Sequence, residues 1–146
     1  MRAECGHNAA TTERETMFQQ DPSWMVTVGK LLMMAFFVTA GTLNLMPHRV
    51  KDHIERMTGF GVPLSAAAFW IGIAMEFAGC ALVLTGWHAD IGLWLLIAFT
   101  AVAGSMFHRF WRVEDPVRRH SLRIALLNNV AVIGGLLVLL HVVGRT

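Results

Sequence analysis

The chain has 146 residues, 55% of them hydrophobic and only 15% charged, with a formal net charge of +2 and a mean hydropathy of +0.52. A soluble domain averages about 45–50% apolar and about 25% charged, and here the apolar excess lies in four long runs, so an ordinary water-soluble fold is excluded. A charge balance this small, with its arginines in loops, also excludes a nucleic-acid-binding surface.

Taken in order, residues 1–21 form a polar segment of mixed charge without an apolar core, so they are not read as a secretory signal peptide. Thr12 and Glu15 have capping-box spacing ahead of Met17 and Phe18, which fits either a short surface helix or a frayed tail. Asp21 before Pro22 reads as a helix cap with proline at the first helical position. Residues 22–146 are then read as one four-helix membrane domain.

The first span runs from about Met25 to Met46, roughly 33 Å as a helix. Trp24 suits the headgroup level, and Lys30, one turn inside, can snorkel toward it. Lys30, Phe37, Gly41 and Asn44 share a face, and Pro47 ends the run. In the loop that follows, Val50, Ile54 and Met57 recur at helical spacing among charges, which predicts a short amphipathic helix on the bilayer surface. Gly59 to Pro63 turns the chain into a second span over about 64–85. A tight connection, Trp87 to Asp90, leads to a third span over about 91–107, where Ala101, Gly104 and Ser105 make a small-residue face leading to His108. Asp115–Pro116 repeats the capping signal ahead of a fourth span over about 124–143. Asn128, on a face with Ala125, Ala131 and Gly135, is expected to point inward in preference to Asn129.

The second span holds the feature that bears on function. Its single ionisable residue, Glu76, lies near its middle, where a charge costs roughly 3 kcal/mol on insertion scales and normally faces a partner or a cavity. Phe69, Gly72, Gly79, Cys80 and Val83 lie three, four or seven residues away and share its face. Small residues allow a neighbouring backbone to approach, so Glu76 is expected inside the bundle.

Arg49, Lys51, Arg56, Arg109, Arg112, Arg118, Arg119 and Arg123 fall in the first and third loops, against Arg2, Arg14, Arg145 and Lys30 on the other side. That bias predicts cytoplasmic first and third loops and external termini. Asn44, His108 and Asn128 then lie near the loop side, with Glu76 roughly 20 Å deep, as the floor of a pocket opening toward the loops. Glu76 and His108 are the candidates for handling protons, and Asn44 and Asn128 for orienting a quinone headgroup. The same residues also suit purely structural hydrogen bonds between helices.

Other chemistries lack their residues. There is no CxxCH or CxxC motif, phosphate-binding glycine loop or nucleophile elbow. His48 and His53, five apart, do not share a helix face, and His108 and His141 fall at opposite ends of the membrane. No metal site is expected beyond a weak pairing of Cys5 and His7. Cys5 and Cys80 lie too far apart on this topology to bridge, which leaves Cys5 free or paired with another chain.

Several separated pieces, in order, resemble the DoxX-like membrane proteins, from about Lys30 to Val143. They are Lys30 with LLMMAFFVTAG, GVP at Gly61 to Pro63, and Glu76 with Gly79 and Gly86. The last of these resembles the family's E-x-x-G-x-x-L-x-x-G pattern, with Val83 and Leu84 shifting the apolar detail. FHRFW at Phe107 to Trp111 with Asp115–Pro116, and NNVAVIGGLL from Asn128 to Leu137, complete the set. The resemblance implies a four-helix bundle in the bacterial inner membrane, serving as an accessory or anchor subunit of a quinone-linked oxidoreductase. Its expected partners are the lipid bilayer, a redox-enzyme subunit and a second copy of itself. Where members often carry basic residues this chain has Asn44 and Asn128, so an ion partner for Glu76 is missing there and an anionic sulfur substrate is not expected. The alternative is a non-catalytic assembly or scaffold protein.

Overall fold

A computed structural model describes residues 24–107, 111 and 113–144. Its regular elements are five helices: α1 Trp24–Asn44, α2 Pro47–Gly59, α3 Ser65–Thr85, α4 Ala89–Phe107 and α5 Pro116–Val143. Four of them, α1, α3, α4 and α5, are long and apolar enough to cross a bilayer. The protein is therefore a multi-pass helical membrane protein with an amphipathic helix in its first loop. The N-terminal cap and surface-helix expectations, Cys5, His7 and His108 all lie outside the described residues.

The boundaries follow local chemistry. α1 stops at Asn44, and Pro47 becomes the first-turn proline of α2, where its missing N–H costs nothing. At the other end of α2, Thr58 donates to the Ile54 carbonyl at 2.9 Å. Its hydroxyl hydrogen is thereby used, so Ser65 is the donor in the 2.6 Å bond that pins the start of α3 to α2. Gly61, at φ 77°, makes the turn between them. The Asp115–Pro116 signal is met: the Asp115 carboxylate accepts from the backbone N–H groups of Val117 and Arg118. α5 begins there, eight residues ahead of its apolar part.

Successive spans are neighbours in space: α1 packs on α3, α3 on α4 and α4 on α5, and α5 touches α1 only lightly. The core has two parts. One, built on Met34, Phe37, Cys80, Val83, Leu93, Leu96, Leu136 and Leu139, fills the half nearer the α3–α4 connection. The second is smaller: Met57 of α2 joins Phe69 and Ile73 of α3, with Phe107 packed against them. Val50 and Ile54 support this cluster while Arg49, Lys51, Glu55 and Arg56 stay exposed. α2 thus lies with its apolar stripe on the bundle and its charges outward.

The larger core is fastened by two glycines. A Cβ on Gly79 would stand 3.0 Å from the Gly92 carbonyl oxygen, and one on Gly92 would stand 2.8 Å from that of Gly79. The backbones of α3 and α4 are in direct contact there, a geometry only small residues permit.

Candidate functional site

Glu76 sits between the two cores. Its side chain is 1% exposed, and the residues expected on its face are buried with it, except Gly72, which is half-buried. The close approach comes from α1: a Cβ on Gly41 would lie 3.0 Å from Glu76 Oε2 and 3.1 Å from the Phe77 ring. Among the described residues, Glu76 Oε2 is buried without any hydrogen-bond partner. Buried polar atoms are paired in the large majority of cases, so this carboxyl oxygen is an exception.

That oxygen's residue lines a cavity of about 560 Å³ enclosed by α1 to α4, to which α5 contributes Asn129. The volume falls in the range of small-molecule sites. Its walls are mainly aromatic and aliphatic, and its polar lining residues are Asn44, His53, Glu76, Thr100 and Asn129. Among the described residues, neither Lys nor Arg lines it. Phe36, Ile71 and Val102 line it as well and are more than half exposed, so the cavity reaches the outer surface of the bundle, the side that lipid covers.

Each polar lining residue is held by its own element. Thr100 is buried on the inner face of α4 below Leu93 and Leu96, and its hydroxyl donates to the Leu96 carbonyl at 2.7 Å. Asn129 rests against Gly104, where a Cβ would come within 2.8 Å of its Nδ2. His53 extends from α2 between two aromatic rings, with centroids 5.8 Å from Phe69 and 5.1 Å from Phe107. Its Nδ1 donates to the Arg49 carbonyl at 2.7 Å. Asn44, at the end of α1, is half-buried at the loop end of the cavity.

Of the residues marked from sequence, Glu76 and Asn44 are brought together in one cavity, and His108 lies outside the described residues. The asparagine pair is reversed: Asn128 is exposed on α5 and Asn129 faces the cavity. The inner face of α4 is also different from the expected one. Gly104 is buried as expected, but Ala101 and Ser105 are exposed, and Leu93, Leu96 and Thr100 complete the face.

Thr100 and His53 were missed, although both carried a signal. Thr100 is in phase with Leu93, Leu96 and Gly104, and His53 stands three residues after Val50 and four before Met57, on the apolar stripe of α2. Among the described residues, no three His, Cys, Asp or Glu side chains converge on a metal-sized point.

Fold and site together define a small multi-pass membrane protein with a lipid-accessible cavity and a buried acid. No protein-family model, curated protein or solved structure matches the chain.

Proposed function

We propose that the protein is a DoxX-like membrane subunit of the bacterial inner membrane that binds an isoprenoid quinone in the cavity around Glu76 and serves a redox-enzyme partner. The first and third loops face the cytoplasm in this reading, following the arginine and lysine bias. The observation that carries it is Glu76, buried and with its Oε2 unpartnered among the described residues, on the wall of a cavity of about 560 Å³ whose lining is mainly aromatic and aliphatic. An amphiphilic ring with oxygens at its ends suits such a lining, and the exposed wall residues give it a path from the lipid phase. A bound quinone supplies two-electron, two-proton carriage. The chain's own part is to orient the ring through Asn44 and Asn129 and to hold a proton at Glu76, beyond the reach of bulk water.

The scaffold reading draws on one observation, the tight seat of Asn129 against Gly104, which suits a helix-locking role for that residue. Glu76 is likewise seated against Gly41 of α1, but among the described residues its Oε2 gains no hydrogen bond there.

The test is quinone content. Wild-type protein purified from native membrane in mild detergent is expected to carry extractable quinone at near-stoichiometric amounts. Glu76→Gln is expected to accumulate normally and to carry at least fivefold less. Equal quinone in both proteins, or none in the wild type, would reject the proposal.

A further inference from the structure

Phe36, Phe37, Phe69, Phe99 and Phe107 all line the cavity, and two of them bracket the acid. Phe37 lies one turn from Gly41, the α1 residue against which Glu76 packs. The Phe99 ring rests on Gly72, one turn from Glu76 on α3, where a Cβ would stand 3.4 Å from it. Aromatic faces carry negative potential and attract cations. Among the described residues, no Lys or Arg on the cavity wall supplies a competing positive charge. Glu76 Oε2 is packed against Gly41, so that oxygen offers an occupant no hydrogen bond. A carboxylate acts on an ion through its field instead, and a water-poor interior screens that field weakly.

We infer that the cavity binds lipophilic monocations, quaternary ammonium or phosphonium ions with aryl or alkyl arms, each cation taking the place of the proton that Glu76 carries when the cavity is empty. The inference goes beyond the quinone reading and does not depend on it. A bare carboxylate at this depth is costly without a positive partner, and a cation beside a neutral acid gains little. The carboxyl O–H bond therefore breaks, its proton leaves to the solvent, and the cation balances the charge that remains. A quaternary ion donates no hydrogen bond, so the seat of Oε2 against Gly41 does not hinder it. The exposed wall residues Phe36, Ile71 and Val102 open the cavity to the lipid in which such ions collect. Unit charges about 6 Å apart at an effective dielectric of about 20 attract enough for roughly a hundredfold in affinity. An anionic amphiphile meets the same field with the opposite sign. Among the described residues, the titratable neighbours of Glu76 are Cys80, one turn along α3, and His53 of α2 on the cavity wall. The other spans present Gly41, Thr100 and Asn129, none of which titrates.

The experiment is calorimetric titration of the full chain in lipid nanodiscs with tetraphenylphosphonium, empty discs subtracted. Two buffers of different ionisation enthalpy count the protons released. Wild type is expected to show a saturable site that releases at least about half a proton per cation at pH 6, with affinity rising as pH rises by up to about tenfold per unit. Glu76→Gln should bind about tenfold more weakly or worse and release no proton. His53→Phe keeps an aromatic ring between Phe69 and Phe107 and should leave the proton count unchanged. No saturable site in the wild type, unchanged affinity in Glu76→Gln, or proton release that vanishes in His53→Phe each overturns the inference. Binding by the wild type without proton release overturns it as well, so the matter is decided even if a variant fails to insert. Quinone content is read on native preparations without the cation, so either reading falls without the other.

Discussion

Replacing Glu76 with leucine separates a working acid from a structural one. Glu76 is 1% exposed, and its Oε2 has no partner among the described residues. A buried unsatisfied polar group costs about 1–3 kcal/mol, and a leucine of similar volume removes that cost without opening a cavity. The Glu76→Leu protein should therefore be more stable than wild type by about 1–3 kcal/mol. With about 2–4 °C per kcal/mol for a chain of this size, the melting midpoint should rise by roughly 2–12 °C. The assay is thermal unfolding in one detergent, followed by tryptophan fluorescence, with quinone content measured on the same samples. A gain in stability with loss of quinone is the signature of a residue retained for function at a cost to the fold. A midpoint lowered by several degrees would refute the reasoning, because it would mean that the carboxyl group holds the helices together.

Gly92→Ala places a Cβ within 2.8 Å of the Gly79 carbonyl and of Leu82; it should cost about 1–3 kcal/mol and lower the melting midpoint. Gly29→Ala meets nothing within 4 Å, and the same melting assay should show no loss. Asp115→Ala removes the acceptor for the Val117 and Arg118 amides; at about 1 kcal/mol, hydrogen exchange at those amides should quicken about fivefold. Cys80 is 2% exposed, so alkylation by a maleimide, read by mass spectrometry, should be slow in the folded protein and complete after unfolding in dodecyl sulfate.

The sequence was most legible where one helix decides the outcome by itself. The face of Glu76 follows from helical period alone, and Phe69, Gly79, Cys80 and Val83 are buried beside it. The cap at Asp115 is as local, since carboxylate, proline and free amides lie within four residues. The amphipathic α2 was equally clear, because its charges leave only one stripe to bury. The asparagine pair was misread because the criterion, small residues on the same helix, looked in the wrong place. Asn129 is accommodated by Gly104 on the facing helix, and which helix faces which is a tertiary fact. His53 was passed over because it was weighed only as a partner for His48, whereas it sits between two aromatic neighbours, Phe69 and Phe107, one from each of two other helices. Thr100 was hidden by its modest polarity: its hydroxyl is spent on its own helix, so it fits an apolar face without any visible mark.

The mutual seat of Gly79 and Gly92 governs how the bundle can move. Two backbones touching at one level can neither slide nor separate there without losing contacts that no side chain can follow and refill. Toward the loops, longer side chains hold the same helices apart, and rotamer changes can take up a displacement. Widening at the mouth is then a scissoring about a fixed fulcrum: spin labels near Trp70 would report spreading as ligand enters, while a pair near Trp87 would keep its distance.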